Sequence, residues 1–286
     1  MKRFLYFDAS SGVSGDMFVG ALVDAGADIE IIRSHICSLG LEGLDIRARK
    51  VSKSGQMGTK FDVIDHETGR DVDAPEGNRH GHGHDDACNL HHGDDHGRRT
   101  RHQHRGLRRI SEIISGSGLP REIIADAVAV FRLIAAAESK VHGTPPEELH
   151  FHELGAVDCI VDIVSAASAY HQLDLDEAWC SPIHVGSGTV RCAHGVLPVP
   201  APATSEILHG VPTYSTGAKG ELATPTGAAL LRHFCKRFAP MPRMTVERVG
   251  YGAGSKDLTI PNLLRATIGK INESAAPAQH IEQKSV

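Results

Sequence analysis

Six potential metal ligands lie within thirteen consecutive residues near the middle of the chain. They are His150, His152, Glu153, Asp158, Cys159 and Asp162. Imidazole suits divalent nickel, zinc, copper and iron, and carboxylates complete the first or second ligand shell around such ions. The cluster therefore predicts a divalent metal site. The alternative is structural, with hydrogen-bonded histidines, a solvated Glu153 and an Asp158 that complements a helix macrodipole.

The sequence around this cluster predicts a strand followed by a helix. An extended run over 149–153 places His150 and His152 on one face, because side chains alternate along a strand. A glycine ends this run, and apolar residues then recur at helical spacing, so Asp158 and Asp162 lie on one side of a helix. Both acids therefore face the same way where the helix begins.

A second concentration of possible ligands lies in 67–105, a segment with almost no apolar residues. Such a composition cannot form a core, so we expect a disordered insertion. Closely spaced imidazoles on a flexible chain capture metal ions at modest affinity. The metal-gathering candidates are His80, His82, His84, His91, His92 and His96. The alternative is a neutral low-complexity linker.

The loop between the first predicted strand and helix is a candidate phosphate site. Its small residues could direct backbone N–H groups and hydroxyls at an anion, and the helix N-terminus adds positive potential. The candidates are Ser10, Ser11 and Gly12. Asp8 and Asp16 flank the loop and would repel a bare phosphate unless a cation lies between them. The alternative is an ordinary helix start capped by Ser14.

A second loop with similar chemistry lies in 217–227. Its phosphate-binding candidates are Lys219, Thr224, Thr226 and Gly227. The alternative is helix capping alone, with Thr224 as N-cap and Pro225 in the first helical position.

Cys192 and His194 flank the approach to a proline-rich segment. They could be metal ligands, or a thiol with its base. Two isolated residues give weak support to either role.

The composition is that of a globular protein with one unusual feature. A chain of 286 residues with 41% hydrophobic content can bury a core. A formal charge of −5 argues against a general nucleic-acid binder. No apolar run approaches the length of a membrane span and no signal peptide is seen, so we expect a cytoplasmic protein. Six scattered cysteines predict buried thiols. The unusual feature of the composition is its nineteen histidines.

The alternation of strand and helix patterns predicts a mixed α/β (or α+β) globular fold. Strands are expected at 4–7, 44–51, 60–64, 178–185, 189–192, 245–250 and 262–271. Helices are expected at 17–25, 28–39, 107–115, 121–141, from 157 onward, in a short run to 209, and at 228–238, with 197–202 extended by its alternate prolines. The expected organisation is an N-terminal core part (1–66), the insertion (67–105), the remaining core (106–271) and a disordered tail (272–286).

Five motifs occur in a fixed order along residues 3–270, together with the histidine-rich segment. They are FDASSGVSGDM from Phe7, HFHELGAVD from His150, PVPAPAT from Pro198, TPTG from Thr224 and GYGAG from Gly250. In this combination the chain resembles the LarC family, the nickel-insertion proteins of nickel-pincer cofactor biosynthesis. The resemblance is more specific than any single motif.

This resemblance implies a lyase that inserts nickel into pyridinium-3,5-bisthiocarboxylic acid mononucleotide, between the two thiocarboxylate sulfurs and the ring carbon. It implies that CTP and a divalent cation, Mg²⁺ or Mn²⁺, are required. A ring proton must leave, which makes His152 or Glu153 the expected base, with Asp158 in support and His150 and His152 near the metal. The sequence does not rank the two phosphate loops, and a cation could bridge the two acids that flank the first of them.

Longer family members continue into a second domain credited with CTP binding, and this chain resembles only their N-terminal part. We therefore expect a separate C-terminal polypeptide as a partner and a nickel-pincer-dependent apo-enzyme as the recipient of the product. The alternative is a truncated chain without full catalytic competence. Two other classes stay open. A nickel metallochaperone or store would use the histidine insertion alone, and a metal-dependent hydrolase would use the central cluster to activate water.

Overall fold

A computed structural model describes residues 2–65, 70–71, 106–149, 157–192, 195–258 and 260–271. The histidine-rich insertion and the C-terminal tail predicted above lie outside the described residues, apart from two backbone positions of the insertion. Residues 150–156 of the central cluster also lie outside them. Those predictions therefore stay predictions.

The described residues form seven helices and fourteen strands. The helices are α1 (Gly15–Asp24), α2 (Ile29–Cys37), α3 (Leu107–Ser115), α4 (Arg121–His142), α5 (Val157–Gln172), α6 (Pro202–Ile207) and α7 (Pro225–Phe234). The strands are β1 (Lys2–Asp8), β2 (Leu44–Lys53), β3 (Gln56–Asp65), β4 (Arg70–Asp71), β5 (Glu177–Cys180), β6 (Ile183–His184), β7 (Gly186–Ser187), β8 (Thr189–Cys192), β9 (Gly195–Pro198), β10 (Thr213–Tyr214), β11 (Gly220–Glu221), β12 (Arg237–Phe238), β13 (Thr245–Ala253) and β14 (Leu263–Ile271).

The main sheet is mixed, with the strand order β12-β5-β1-β14-β13-β3-β2 and β4 beside β3. Strand β1 pairs antiparallel with β14 and parallel with β5. The predicted hairpin is confirmed as β2 and β3, which pair in antiparallel register from Leu44↔Asp65 to Lys53↔Gln56. Helices pack on this sheet, so the predicted mixed α/β class is confirmed.

Helix α1 lies unusually close to the sheet, and glycines in β13 allow it. A Cβ atom at Gly252 would lie 1.8 Å from the carbonyl oxygen of Met17, and one at Gly250 would lie 2.3 Å from that of Ala21. Only glycine fits such an approach. The start of α1 is therefore fixed relative to the carboxyl end of β1.

Helices α4, α5 and α7 complete the core. Helix α5 packs against α1, α2 and α4, and most of its residues are buried. Aromatic rings link the layers, since the centroid of Phe18 lies 4.8 Å from that of Phe7 and 5.7 Å from that of Phe234. This packing fixes the N-terminal turns of α1, α5 and α7 relative to one another. No helix among the described residues is both long and apolar enough to cross a membrane.

Several predicted boundaries are wrong. The single strand expected at 178–185 is two strands, β5 and β6, because Pro182 between them cannot donate a ladder hydrogen bond. The helix expected to reach residue 238 ends at Phe234, and the chain then adds β12 to the edge of β5, with Lys236 N donating to Ala178 O at 2.9 Å. The extended run expected over 197–202 overlaps only the end of β9 at 197–198, and α6 already begins at Pro202.

Candidate substrate cavity

A cavity of about 560 Å³ lies where the N-terminal turns of α1, α5 and α7 meet. Asp16 lines it from α1, Asp158 from α5, and Thr224 and Thr226 from the start of α7. The C-terminal turn of α4, the β8–β9 hairpin and the loop before β14 form the remaining walls. This volume lies within the range of small-molecule sites, about 300 to 1,000 Å³.

The two loops proposed for phosphate are joined at one edge of this cavity. Val13 N donates to Leu222 O at 2.9 Å, and Thr224 N donates to Val13 O at 3.0 Å. Glycines permit the contact: a Cβ atom at Gly227 would lie 2.5 Å from Val13 O, and Gly12, with φ of 84°, lies against Leu222. The start of α7 therefore packs directly against the residues that precede α1.

Asp16 is held by a buried ion pair. Lys60 Nζ donates to Asp16 Oδ2 at 2.7 Å and to the carbonyl oxygen of Phe61 at 2.8 Å. The Lys60 side chain is 5% exposed and that of Asp16 is 11% exposed. The other Asp16 oxygen accepts the hydroxyl hydrogen of Ser14. Ser14 occupies the N-cap position but its side chain caps no backbone N–H, which corrects the capping role considered for it.

Two acids from α5 face the cavity, as their helical spacing predicts. Asp158 is half-buried, and its Oδ1 atom is buried without a hydrogen-bond partner among the described residues. The Asp162 carboxylate lies against the first turn of α1, because a Cβ atom at Gly15 would be only 2.2 Å from its Oδ2 atom. The N-terminus of α1 thus faces two carboxylates, Asp162 and its own Asp16.

The N-terminus of α7 has a different charge environment. Its first turn carries no acidic residue. Thr224 Oγ1 accepts the N–H of Gly227 at 3.2 Å, which confirms Thr224 as the N-cap and leaves its hydroxyl hydrogen free to donate. The hydroxyl of Thr226 lies 3.8 Å from Cys159 Sγ. The start of α7 therefore combines hydroxyl donors with a helix N-terminus, and its first turn has no acid that would repel an anion.

Most of the charged residues that line the cavity are acidic. Within the described part of the chain the acidic ones are Asp16, Glu138, Asp158, Asp162 and Glu221. Two cationic residues, Arg191 and Lys256, also line it. His142 Nε2 lies 3.2 Å from a Glu138 oxygen one helical turn away. An acidic lining attracts cations, so the cavity suits a divalent ion together with an anion bound at the end of α7.

Several residues proposed from the sequence lie elsewhere. Asp8 pairs with Arg265 and accepts the N–H of Ser10. Neither Asp8 nor Ser10 lines the cavity. Ser11, Gly12, Lys219 and Gly227 are also absent from its lining. Asp8 and Asp16 have separate cationic partners, Arg265 and Lys60, so the structure does not join them around one ion.

The residues of the central cluster can be placed only in part. His150, His152 and Glu153 lie outside the described residues, as do His194 and the six histidines of the insertion. The neighbours on either side, Leu149 and Asp158, both line the cavity, and so does Cys192. Among the residues that the structure describes, no three histidine, cysteine or acidic side chains are close enough to hold a metal ion.

Sequence reasoning missed several residues of the site. Glu138, His142, Arg191 and Lys256 line the cavity but belong to no motif. They line it because elements distant in sequence meet there. Lys60, which holds Asp16 without lining the cavity, was also missed, since it is simply the first residue of a predicted strand.

The chain was then compared with known proteins. The sequence profile of a nickel insertion protein family matches residues 5–285. A pyridinium-3,5-bisthiocarboxylic acid mononucleotide nickel insertion protein of Desulfitobacterium hafniense is 46% identical over 93% of this chain and 58% of its own length. A protein of the same name from Geobacillus kaustophilus is 43% identical over 99% of this chain and 64% of its own length. The chain thus spans about three fifths of these relatives. No solved structure matches it.

Proposed function

Since the chain belongs to the nickel insertion protein family, we propose that it takes part in placing nickel in pyridinium-3,5-bisthiocarboxylic acid mononucleotide. Nickel is the cargo and the mononucleotide is the substrate. The observation that carries this proposal is the convergence of three helix N-termini and five carboxylates on one cavity of about 560 Å³. Such a site offers separate places for a cation and for a phosphate.

The charge distribution supports one of the two phosphate loops that the sequence left unranked. The N-terminus of α1 already faces Asp16 and Asp162, and the hydroxyl hydrogen of Ser14 is committed to Asp16. A phosphate there would meet carboxylates. At α7 the first turn has no acid, and the Thr224 hydroxyl can donate. We therefore assign the substrate phosphate to Thr224, Thr226 and the turn that follows, rather than to the loop at Ser10.

We place nickel and the reactive ring at the acidic wall, the part of the cavity lined by Asp16, Asp158 and Asp162. Asp158, whose Oδ1 atom has no hydrogen-bond partner among the described residues, lines the cavity, and so does Leu149, so the chain enters and leaves the 150–156 segment beside this cavity. We propose that His150 and His152 take part in holding nickel and that His152 or Glu153 accepts the ring proton, with Asp158 supporting them. Imidazole is a suitable nickel ligand, and a positioned base contributes typically 10²–10⁴-fold to rate.

We further propose that the reaction is that of a CTP-dependent lyase, and that CTP and its Mg²⁺ or Mn²⁺ bind in the region of the relatives that this chain does not span. That region would be a partner wherever a separate polypeptide carries it, and a nickel-pincer-dependent apo-enzyme would receive the product. The histidine-rich segment would supply nickel to the cavity.

The test uses four variants: Thr224→Ala, Thr224→Ser, Asp158→Asn and His152→Ala. Nickel insertion is measured with nickel, mononucleotide, CTP and the C-terminal region of a relative in excess. We expect His152→Ala and Asp158→Asn to lower the rate by orders of magnitude, and Thr224→Ala to weaken mononucleotide binding while Thr224→Ser retains it. Parent-like rates in His152→Ala and Asp158→Asn would show that the acidic wall has only a structural role. Nickel uptake that is unaffected by the mononucleotide, with no conversion, would favour a nickel store instead.

A further inference from the structure

The phosphate assigned to the start of α7 needs a cationic partner. The hydroxyls of Thr224 and Thr226 and the backbone N–H groups of that turn are neutral donors, and most of the charged residues that line the cavity are acidic. A phosphate monoester carries a charge of about −1.5 to −2 at pH 7. A cation beside this turn would therefore strengthen phosphate binding, because charge-assisted hydrogen bonds are about twice as strong as neutral ones.

Three cationic residues in the described part of the chain are candidates for this partner. Lys60 does not line the cavity, and its ammonium is bound to Asp16 at 2.7 Å. Arg191 pairs across the β8–β9 hairpin with Val196, which is 60% exposed, so strand alternation places its side chain on the outer face of the hairpin. The third candidate, Lys256, has a different position.

Lys256 lines the cavity, and a hydrogen bond places its ammonium beside the chain that leads into α7. Its Nζ atom donates to Glu221 O at 3.1 Å, and Glu221, Leu222 and Thr224 line the same cavity. Three residues, at most about 11 Å of chain, separate Glu221 from Thr224. An ammonium has three donors, so the contact with Glu221 does not occupy all of them. The flexible four-carbon stem lets the charge move toward an anion bound at the start of α7.

The loop that carries Lys256 follows the GYGAG motif and is held by buried contacts. Lys53, at the end of β2, donates from Nζ to the backbone oxygens of Ser255 and Lys256, both at 3.2 Å. The same ammonium, on a side chain that is only 12% exposed, pairs with Asp257 at 2.7 Å. Asn262 Nδ2 also donates to the Lys256 oxygen, at 2.9 Å. The backbone of the loop is therefore fixed, and the Lys256 side chain alone has to adjust when an anion binds.

We infer that Lys256 binds the phosphate of the substrate together with the start of α7, and that it thereby selects the mononucleotide over the corresponding nucleoside. This inference rests on the proposed function and adds a binding residue to it. Arginine should largely replace lysine at this position, because a guanidinium also pairs with phosphate, whereas neutral glutamine should not.

The test compares two ligands that differ only in the phosphate. They are the thiocarboxylated mononucleotide and the nucleoside made from it by a phosphatase. Binding of each to the full 286-residue chain is measured by titration calorimetry without nickel, and thermal melts check that each variant is folded. We expect the parent protein to prefer the mononucleotide. Lys256→Gln should reduce that preference about tenfold or more while binding the nucleoside as before, and Lys256→Arg should retain most of it.

The matched control is Lys236→Gln, which removes an exposed lysine that does not line the cavity. It should leave both affinities unchanged. The role of Lys256 would be overturned, with nickel insertion still standing as the proposed function, by any of three results: a parent protein that binds both ligands equally, a preference that survives in Lys256→Gln, or an equal loss of both affinities in that variant. Failure of the parent protein to bind the mononucleotide would refute the proposed function, and the inference about Lys256 with it.

Discussion

The buried pair between Lys60 and Asp16 should be one of the costliest polar contacts in the fold to break. Replacing Lys60 with Met keeps most of the side-chain volume and removes the charge. Asp16, whose side chain is 11% exposed, then keeps only the hydroxyl of Ser14 as a hydrogen-bond partner among the described residues. Asp62 loses little, because its carboxylate retains Arg49 at 2.7 Å. Removing one partner of a buried pair costs about 3–5 kcal/mol. We expect about 3 kcal/mol here, since Asp16 borders a cavity that water can enter.

The assay is urea unfolding of Lys60→Met, Asp16→Asn and the double variant, with the slope against urea used to check that the unfolding transition itself is unchanged. The double variant should be more stable than the sum of the two single losses predicts, by at least about 1 kcal/mol, since contacting residues couple by roughly 0.5–3 kcal/mol. The control is Lys50→Met, which breaks the pair between Asp24 and a lysine that is 61% exposed and should cost about 1 kcal/mol or less. A loss below about 1 kcal/mol in Lys60→Met, or strict additivity, would refute the reasoning.

Three further predictions concern other parts of the chain. Gly227→Ala should destabilise the protein by about 1–3 kcal/mol and lower Tm, because its Cβ would lie 2.5 Å from Val13 O, whereas Gly118→Ala, with nothing within 4 Å, should not. Burial alone raises the pKa of Asp24, but hydrogen bonds, chiefly from Lys50, outweigh it and hold that pKa below the usual 3.8. Asp24 therefore stabilises the fold above about pH 4, and the difference in unfolding free energy between the parent and Asp24→Asn should shrink as pH falls below 3.8. Deleting 79–104 should lower nickel stoichiometry in equilibrium dialysis yet leave insertion intact at saturating free nickel; loss of insertion there would contradict a delivery role.

Local patterns predicted the helices and the long strands well. Helix α3 was predicted with its observed bounds and α4 to within one residue, because amphipathic spacing and an opening proline identify such helices without tertiary help. The wrong predictions concern segments whose conformation depends on pairing with a neighbouring strand. The chain after Phe234 could have continued as a helix by its own propensity, but pairing with β5 is available there and the chain is extended instead.

The site was predicted less well, for a similar reason. Asp158, Asp16, Thr224 and Thr226 were proposed from motifs and do line one cavity. Asp8 and Ser10 belong to the same motif as Asp16, but Asp8 pairs with Arg265 and accepts the N–H of Ser10, and neither Asp8 nor Ser10 lines the cavity. A motif records that residues are close in sequence, whereas the direction of each side chain depends on where the strand ends and the helix begins.

The arrangement of charge around the cavity would let one small volume hold both a metal cation and an anionic nucleotide, as the proposed function requires. If acids lined all three helix N-termini, the phosphate would be repelled. Here two of the three helix N-termini, those of α1 and α5, carry acids, and Lys60 balances Asp16, while the first turn of α7 has none. Moving an acid to α7 should therefore damage nucleotide binding more than it damages folding. Thr226→Asp places a carboxylate in that turn, where the helix dipole itself would favour it. We expect mononucleotide affinity to fall by more than tenfold while nickel binding is retained, as measured by calorimetry with each ligand alone. Unchanged mononucleotide affinity in this variant would show that the phosphate does not bind at α7.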